Sequence, residues 1–233
     1  MVLVKATAIV LAAGSGSRMG TGVKKQYLIL EGIPVLGHVL KVLEKSTVIK
    51  SVVVVVGSGE EGYCRVAVVE KLGLKKVIAI VPGGKERQDS VYNGLLALSP
   101  DTGLVVIHDG ARPFLDSKCL QAVVEAAGVY GAATCATPVK DTVKFADGED
   151  FVSRTLPRER LWLVQTPQAF RYDIIFGAHR RARDDKYTAT DDAGLVEYLG
   201  LPVKIVPGAY SNIKITTPED LIVASVMIKK NGV

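Results

Sequence analysis

Five short runs of Val, Ile and Ala recur along the chain, each followed by a glycine or a turn and then by a stretch with helical periodicity. They are TAIVLAA (7–13), SVVVVVG (51–57), KKVIAIV (75–81), GLVVIHD (103–109) and YGAATCATPV (130–139). Their hydrophobicity is continuous rather than alternating, so both faces of each strand must be covered, as in a parallel sheet with helices on each side. The intervening segments LGHVLKVLEK (36–45), YCRVAVVEKLG (63–73), RQDSVYNGLLAL (87–98) and CLQAVVEAAG (119–128) carry the helical pattern. The expected fold is α/β, a doubly wound, mostly parallel, Rossmann-like sheet. With 233 residues, one domain over 1–233 is the expectation.

Residues 138–160, PVKDTVKFADGEDFVSRTLPRER, break that rhythm. They alternate polar and apolar around Asp147-Gly148, a turn signal, and predict a projecting β-hairpin arm. Such an arm finds a partner in a homodimer, or it folds back on its own domain. Near the C-terminus, Thr217, Pro218 and Asp220 are spaced as N-cap, first helical residue and approximate capping box.

The apolar start MVLVKATAIVLAAG is too short to span a bilayer and leads into a glycine-rich loop, so it reads as a first strand of a cytoplasmic protein. Cys64, Cys119 and Cys135 are far apart in sequence and odd in number, which argues against a disulfide framework or a zinc site and for buried free thiols. The net charge is +5, but the cations form no run with interleaved aromatics, so small phosphorylated ligands explain them and nucleic acid is not required.

Ligands of parallel sheets bind beyond the carboxyl ends of strands, and five such places stand out. The first, LAAGSGSRMGTGVKKQ (11–26), combines Gly14 and Gly16 with Arg18 and Lys25; glycines let backbone N–H groups reach phosphate oxygens and the cations neutralise them. Its GxGxxxG spacing approximates a dinucleotide fingerprint, but no acid ends the second strand to hold a ribose, and the Walker pattern GxxxxGK[ST] is absent. In PGGKERQDS (82–90), Gly84, Arg87 and Ser90 can receive a base edge or a phosphate, or form a plain turn. In HDGARP (108–113), Asp109 is a candidate Mg²⁺ ligand or the partner of Arg112 in an ion pair, and His108 reads as structural rather than as a general base. In RERLWLVQTPQAF (158–170), Arg158 and Arg160 are functional or merely solvated. The last place pairs TATDDAG (188–194), where Thr190 reads as a helix N-cap able also to touch substrate, with SNIKIT (211–216), read as a strand that turns Lys214 toward the cleft. Fixed cations with one metal carboxylate, and no Ser-His or Cys-His pair, fit nucleotidyl transfer.

In order and spacing, LAAGSGSRMG with KKQY, GGKERQDSV, HDGARP, PVKDTVK, LWLVQTPQAF, TDDA and NIKITTPEDL resemble the 2-C-methyl-D-erythritol 4-phosphate cytidylyltransferases of the non-mevalonate isoprenoid pathway, over nearly the whole chain. The resemblance implies a Mg²⁺-assisted reaction of CTP with methylerythritol phosphate. By matched position it gives Arg18 and Lys25 the transition-state cations, with Lys214 binding phosphate nearby. Ala13, Gly14 and Gly16 would lie along the nucleotide, Gly84 and Ser90 would meet cytosine, and Arg87 would support that loop. Asp109 would serve the metal and the methylerythritol hydroxyls, with Arg112 beside it. Arg158 would cross on the arm to the substrate phosphate of the other subunit, where Thr166 and Thr190 would line the pocket.

Three positions depart from the family pattern: Gly110 replaces the alanine of HDAARP, Lys85 replaces an acidic residue that could meet the base, and Ser211 replaces an Asp expected before NIK. Ribitol 5-phosphate cytidylyltransferase shares almost every motif and is the nearest alternative. A nucleotide-binding dehydrogenase and a catalytically silent nucleotide sensor are readings of other classes.

Overall fold

The computed structural model describes residues 5–14 and 24–231. The five apolar runs become strands, with ends shifted by one or two residues. Along the chain come β1 (Ala6–Ala12), a small ribbon of β2 (Ile29–Leu30) and β3 (Ile33–Pro34), α1 (Val35–Lys45), β4 (Ile49–Val56), and α2 (Glu61–Cys64), which runs on as a π-helical stretch Arg65–Glu70. Next are β5 (Val77–Pro82), α3 (Arg87–Leu96), β6 (Leu104–Asp109), α4 (Ser117–Tyr130), β7 (Ala132–Pro138), β8 (Lys144–Ala146) and β9 (Val152–Thr155). The last are β10 (Trp162–Arg171), α5 (Tyr172–Asp184), α6 (Asp192–Tyr198), β11 (Lys204–Pro207) and α7 (Pro218–Asn231).

Seven strands form one sheet in the order β11-β7-β10-β6-β1-β4-β5. The pairs β1–β4, β1–β6, β4–β5 and β7–β11 are parallel, and β10 is inserted antiparallel between β6 and β7. The chain adds β4 and β5 on one side of β1, then crosses to lay β6 on the other. A crevice opens beyond the carboxyl ends of strands at such a reversal, here between the ends of β1 and β6.

Continuous apolar strands are explained by two cores, one on each face. Ala8, Val10, Val52 and Val54 pack with Leu36, Leu40, Val68 and Leu120, whereas Ile9, Val53 and Val55 pack with Val91, Leu95, Ile175 and Leu195. Leu36, Leu40 and Leu43 of α1 are at most 1% exposed, and each contributes about 1.5–3 kcal/mol by that burial. A third, smaller core joins Leu30, Val35 and Ile215 to Ala224 and Ile228 of α7. At the start of α7 the Asp220 carboxylate accepts the N–H groups of Thr216 (2.8 Å) and Thr217 (2.9 Å), the contact that the capping-box spacing anticipates.

The hairpin forms as expected. β8 and β9 pair only with each other, and the Asp147 carboxylate accepts the N–H groups of Glu149 and Phe151 at 3.0 Å to close the turn. Every residue of both strands is exposed, Phe145 at 52% and Val152 at 61%.

Two local expectations are corrected. SNIKIT is not a strand: residues 211–216 are irregular, tied to the HDGARP turn by the Ile215 N–H donating to the Ala111 carbonyl (2.8 Å). Its alternation is nevertheless real, because Ile213 and Ile215 face the third core while Lys214 faces the crevice. The N-cap of α6 is Asp191 rather than Thr190; its extended backbone lets the carboxylate accept the Gly194 N–H at 3.0 Å, and the helix begins one residue later.

Candidate active site

Two cavities open at the reversal point and meet at Asp109. The first, about 370 Å³, lies between Ala13-Gly14 after β1, Lys25, and the Gly84–Ser90 turn between β5 and α3. The second, about 320 Å³, lies between Arg112, Gln165-Thr166 of β10, and Thr190-Asp191 before α6. Arg87, Asp109 and Lys214 line both.

The wall of the first cavity is backbone held at close quarters. The Gly84 N–H donates to the Ser90 hydroxyl, which donates to the Glu86 carbonyl, each at 3.1 Å, and Glu86 with Asp89 completes a capping box on α3. A Cβ on Gly83 would lie 2.4 Å from that of Ala13, and one on Gly84 would lie 2.2 Å from that of Asp89. Only glycine permits this approach. Lys25 is brought to the cavity by its neighbour Gln26, whose buried amide donates to the Ala12 carbonyl at 2.6 Å. Gly16 and Arg18 lie outside the described residues.

Asp109 ends β6, 7% exposed, amid three cations: Lys214 at 2.8 Å, and Arg87 and Arg112 each at 3.6 Å. Burial opposes its charge, but Lys214 and then Arg87 outweigh it and hold the carboxyl well below the usual carboxylate range. The ion pair with Arg112 is therefore present, and it shares the carboxylate with Lys214 and Arg87. Arg87 is braced from behind by Asp192 at 2.7 Å, which in turn meets His179 at 3.2 Å. Burial works against charge on Arg87 and Asp192 alike; the attraction between them prevails, raising the guanidinium and lowering the carboxyl from their ordinary values. His108 is fully buried, and burial lowers it to about 4, so it is neutral and closed off from either cavity.

Thr166 is buried, with its hydroxyl accepting the Asp109 N–H at 3.0 Å and its carbonyl accepting from the Asn212 amide at 2.8 Å. It faces the second cavity because the β10–β7 register shifts between Val164 and Gln168, freeing Gln165 and Thr166 from the ladder. Thr190 lines the same cavity despite not being the helix cap. Arg158 does not: it lies on a single 3₁₀ turn after the hairpin, exposed, donating to the Lys140 carbonyl at 2.8 Å. Among the departures, Lys85 lines the first cavity, Ser211 lines neither, and the space of an alanine methyl at Gly110 is taken by Leu36, whose Cδ1 would lie 2.9 Å from it. Among the described residues no group of three or more His, Cys, Asp or Glu is placed to hold a metal ion; Asp109 is the carboxylate that lines both cavities, with Glu86 on the first and Asp191 on the second.

Sequence reasoning missed the framework that holds these groups. The Gln168 side chain, fully buried, donates to the Asp191 carboxylate (2.6 Å) and the Thr134 hydroxyl (3.0 Å) and accepts the Ala193 N–H (3.2 Å). The Asn212 side chain donates to Gln165 (3.2 Å), while its backbone carbonyl accepts from Arg112 (2.7 Å), fixing the segment that carries Lys214. The available signal was polar residues, Gln165, Gln168 and Asn212, inside otherwise apolar stretches.

Comparison with known proteins supports what this geometry suggests. The family model described as 2-C-methyl-D-erythritol 4-phosphate cytidylyltransferase (IspD) matches residues 6–230. The enzyme of that name from Pelotomaculum thermopropionicum is 69% identical over 225 residues, covering 97% of this chain and 94% of its own length. The one from Desulforamulus reducens is 50% identical, with 97% and 96% covered. Among solved structures, the 4-diphosphocytidyl-2C-methyl-D-erythritol synthase of Anaerococcus prevotii superposes with a TM-score of 0.86 at 33% identity, covering 97% of this chain and 96% of that one. The cytidylyltransferase of Thermus thermophilus gives 0.79 at 34% identity, covering 97% and 99%. With a crevice of this shape and full-length matches of this strength, the chain belongs to the 2-C-methyl-D-erythritol 4-phosphate cytidylyltransferase family.

Proposed function

We propose that the chain joins CTP to 2-C-methyl-D-erythritol 4-phosphate, giving 4-diphosphocytidyl-2-C-methyl-D-erythritol and pyrophosphate. The observation that carries this reading is the pair of cavities sharing Arg87, Asp109 and Lys214, one walled by glycine backbone and one by polar side chains. The first suits a nucleotide and the second a polyol phosphate. An oxygen of the acceptor phosphate attacks the α-phosphorus of CTP; the new P–O bond forms as the bond to the β-phosphate bridging oxygen breaks, and pyrophosphate leaves with that electron pair. The nucleophile is already an anion, so no general base is required, in keeping with a neutral, buried His108. Lys25 and Arg18 stabilise the charge that accumulates at the α-phosphorus, and Lys214 holds phosphate nearby. Gly14 and Gly16 follow the triphosphate, Gly84 and Ser90 meet the base, and Thr166, Thr190, Arg112 and Asp109 serve the acceptor.

Asp109, the carboxylate common to both cavities, would hold a Mg²⁺ ion. Because Lys214 already engages it at 2.8 Å, the ion would rest mainly on triphosphate oxygens, and when bound it would offset phosphate charge.

The same reading makes the protein a homodimer in one domain per chain. The exposed arm, with Phe145 and Val152 uncovered, and an Arg158 that lines neither cavity of its own chain both favour an arm that reaches the second cavity of a partner. No helix among the described residues is long and apolar enough to cross a membrane, and we infer a cytoplasmic enzyme. The family model and the named relatives carry the methylerythritol name, not that of the ribitol 5-phosphate alternative. Pyrophosphate release with CTP and Mg²⁺ tests the proposal: methylerythritol 4-phosphate should be strongly preferred to ribitol 5-phosphate. The reverse preference would keep the mechanism and overturn the substrate.

A further inference from the structure

Cys119 and Cys135 are sixteen residues apart in sequence, yet their sulfurs lie 3.3 Å from each other. Cys119 stands in the first turn of α4, half-buried, where the helix N-terminus favours a thiolate and the capping Asp116 carboxylate, which accepts the Cys119 N–H at 3.3 Å, opposes it. Cys135, on β7, is fully buried behind it. The third cysteine, Cys64, is buried against Tyr27 and Glu60, and burial raises its thiol to about 11. One thiol of the three is thus accessible, and a second is positioned to resolve it.

We propose that Cys119 and Cys135 form a dithiol modification site that a peroxide converts to an intramolecular disulfide. The Cys119 thiolate attacks one peroxide oxygen; the S–O bond forms as the O–O bond breaks, and the departing hydroxide takes up the proton that Cys119 lost on ionising and leaves as water, giving a sulfenic acid. The Cys135 sulfur then attacks the Cys119 sulfur; the S–S bond forms, the S–O bond breaks, and hydroxide leaves with the Cys135 proton as a second water. Two electrons from the thiols reduce one peroxide, and an external thiol reverses the step. Closure to the ordinary S–S length of about 2.05 Å asks each sulfur to move by well under 1 Å. Disulfides in reducing compartments are characteristically transient and regulatory, which suits a pair that is free in the resting fold.

The bridge would bear on the second cavity. Cys135 donates to Gln165 at 3.6 Å, and Gln165 also accepts from Asn212 and lines that cavity. Oxidation removes the S–H donor while leaving the first cavity untouched, so the acceptor KM should change and the CTP KM should not.

The test is to treat the full-length protein with hydrogen peroxide and then a thiol-alkylating reagent, and to map peptides by mass spectrometry. The expected result is a Cys119–Cys135 cross-linked peptide two hydrogen masses lighter, Cys64 alkylated only after unfolding, and full reversal by dithiothreitol. Cys135→Ser should stop at a Cys119 sulfenic acid that dimedone traps, and Cys119→Ser should give neither product. Oxidation that falls first on Cys64, or a Cys119 sulfenic acid that persists in the unsubstituted protein, would overturn the proposal.

Discussion

The two cavities share three residues and are otherwise built on different principles. The first is made of closely packed chain: glycines on which a Cβ would lie 2.2–2.4 Å from the Cβ atoms of Ala13 and Asp89, a serine hydrogen-bonded on both sides, and a capped helix start. The second is made of side chains released from a strand by a register shift and held by relays such as Gln168–Asp191 and Asn212–Gln165. A rigid backbone wall suits a ligand portion common to many enzymes, the nucleotide. A side-chain wall suits the portion that differs, the acceptor, and in our reading it is completed by an arm from another copy.

This contrast can be broken at its strongest point first. Lys25→Ala removes a cation from the rigid side, and turnover should fall by about 10²–10³-fold because an electrostatic contact to the transition state is lost. Nucleotide binding, followed by calorimetry, should persist. Near-normal turnover would remove Lys25 from the chemistry.

The core behind the two cavities yields a pH prediction. His108 titrates near 6.5 when unfolded and about 4 when folded. Between those values the unfolded chain binds the extra proton, so stability rises with pH across that window and is lost as pH falls through it. The loss should amount to about 3 kcal/mol. Asp109, with its folded carboxyl lowered, adds stability above its unfolded value of about 3.9 that is lost further into acid. Urea midpoints between pH 4 and 7 measure the first slope, and His108→Gln should flatten it; an unchanged slope would contradict the assignment.

On the adaptable side, Arg158→Ala should raise the acceptor KM by roughly tenfold or more, the loss of one charge-assisted hydrogen bond. The CTP KM should stay nearly constant, and a parallel rise in both constants would erase the distinction between the cavities. Smallest is Gly110→Ala, which restores the common family residue but crowds Leu36 at 2.9 Å and the Leu11 carbonyl at 3.0 Å. It should cost about 1 kcal/mol in thermal unfolding and leave kinetics almost unchanged, unlike any change to Asp109 one residue earlier.

What was legible in the sequence follows the same division. Strands buried on both faces announce themselves as apolar runs, and residues at or just past their ends, Ala13-Gly14, Gly84 and Asp109, line the first cavity as the strand-end rule predicts. β10 was not legible as a strand because Gln165, Pro167 and Gln168 interrupt its pattern, and α5 and β11 likewise gave no signal strong enough to separate them from loop. The Arg87–Asp192 brace spans more than a hundred residues, and the Cys119–Cys135 pair joins a helix to a strand; only the fold brings either together. Lys214 was oriented correctly from a wrong premise, since alternation between core and crevice does not require a strand.

The most direct test of the account is to mix Lys25→Ala and Arg158→Ala proteins under conditions of confirmed subunit exchange, at low acceptor concentration. If the arm completes the partner's second cavity, each mixed dimer holds one intact site. Activity should then recover to roughly a quarter of the unsubstituted enzyme by random pairing. Activity no higher than the average of the two parents would mean that each chain builds both cavities alone, and the division drawn between them would fail.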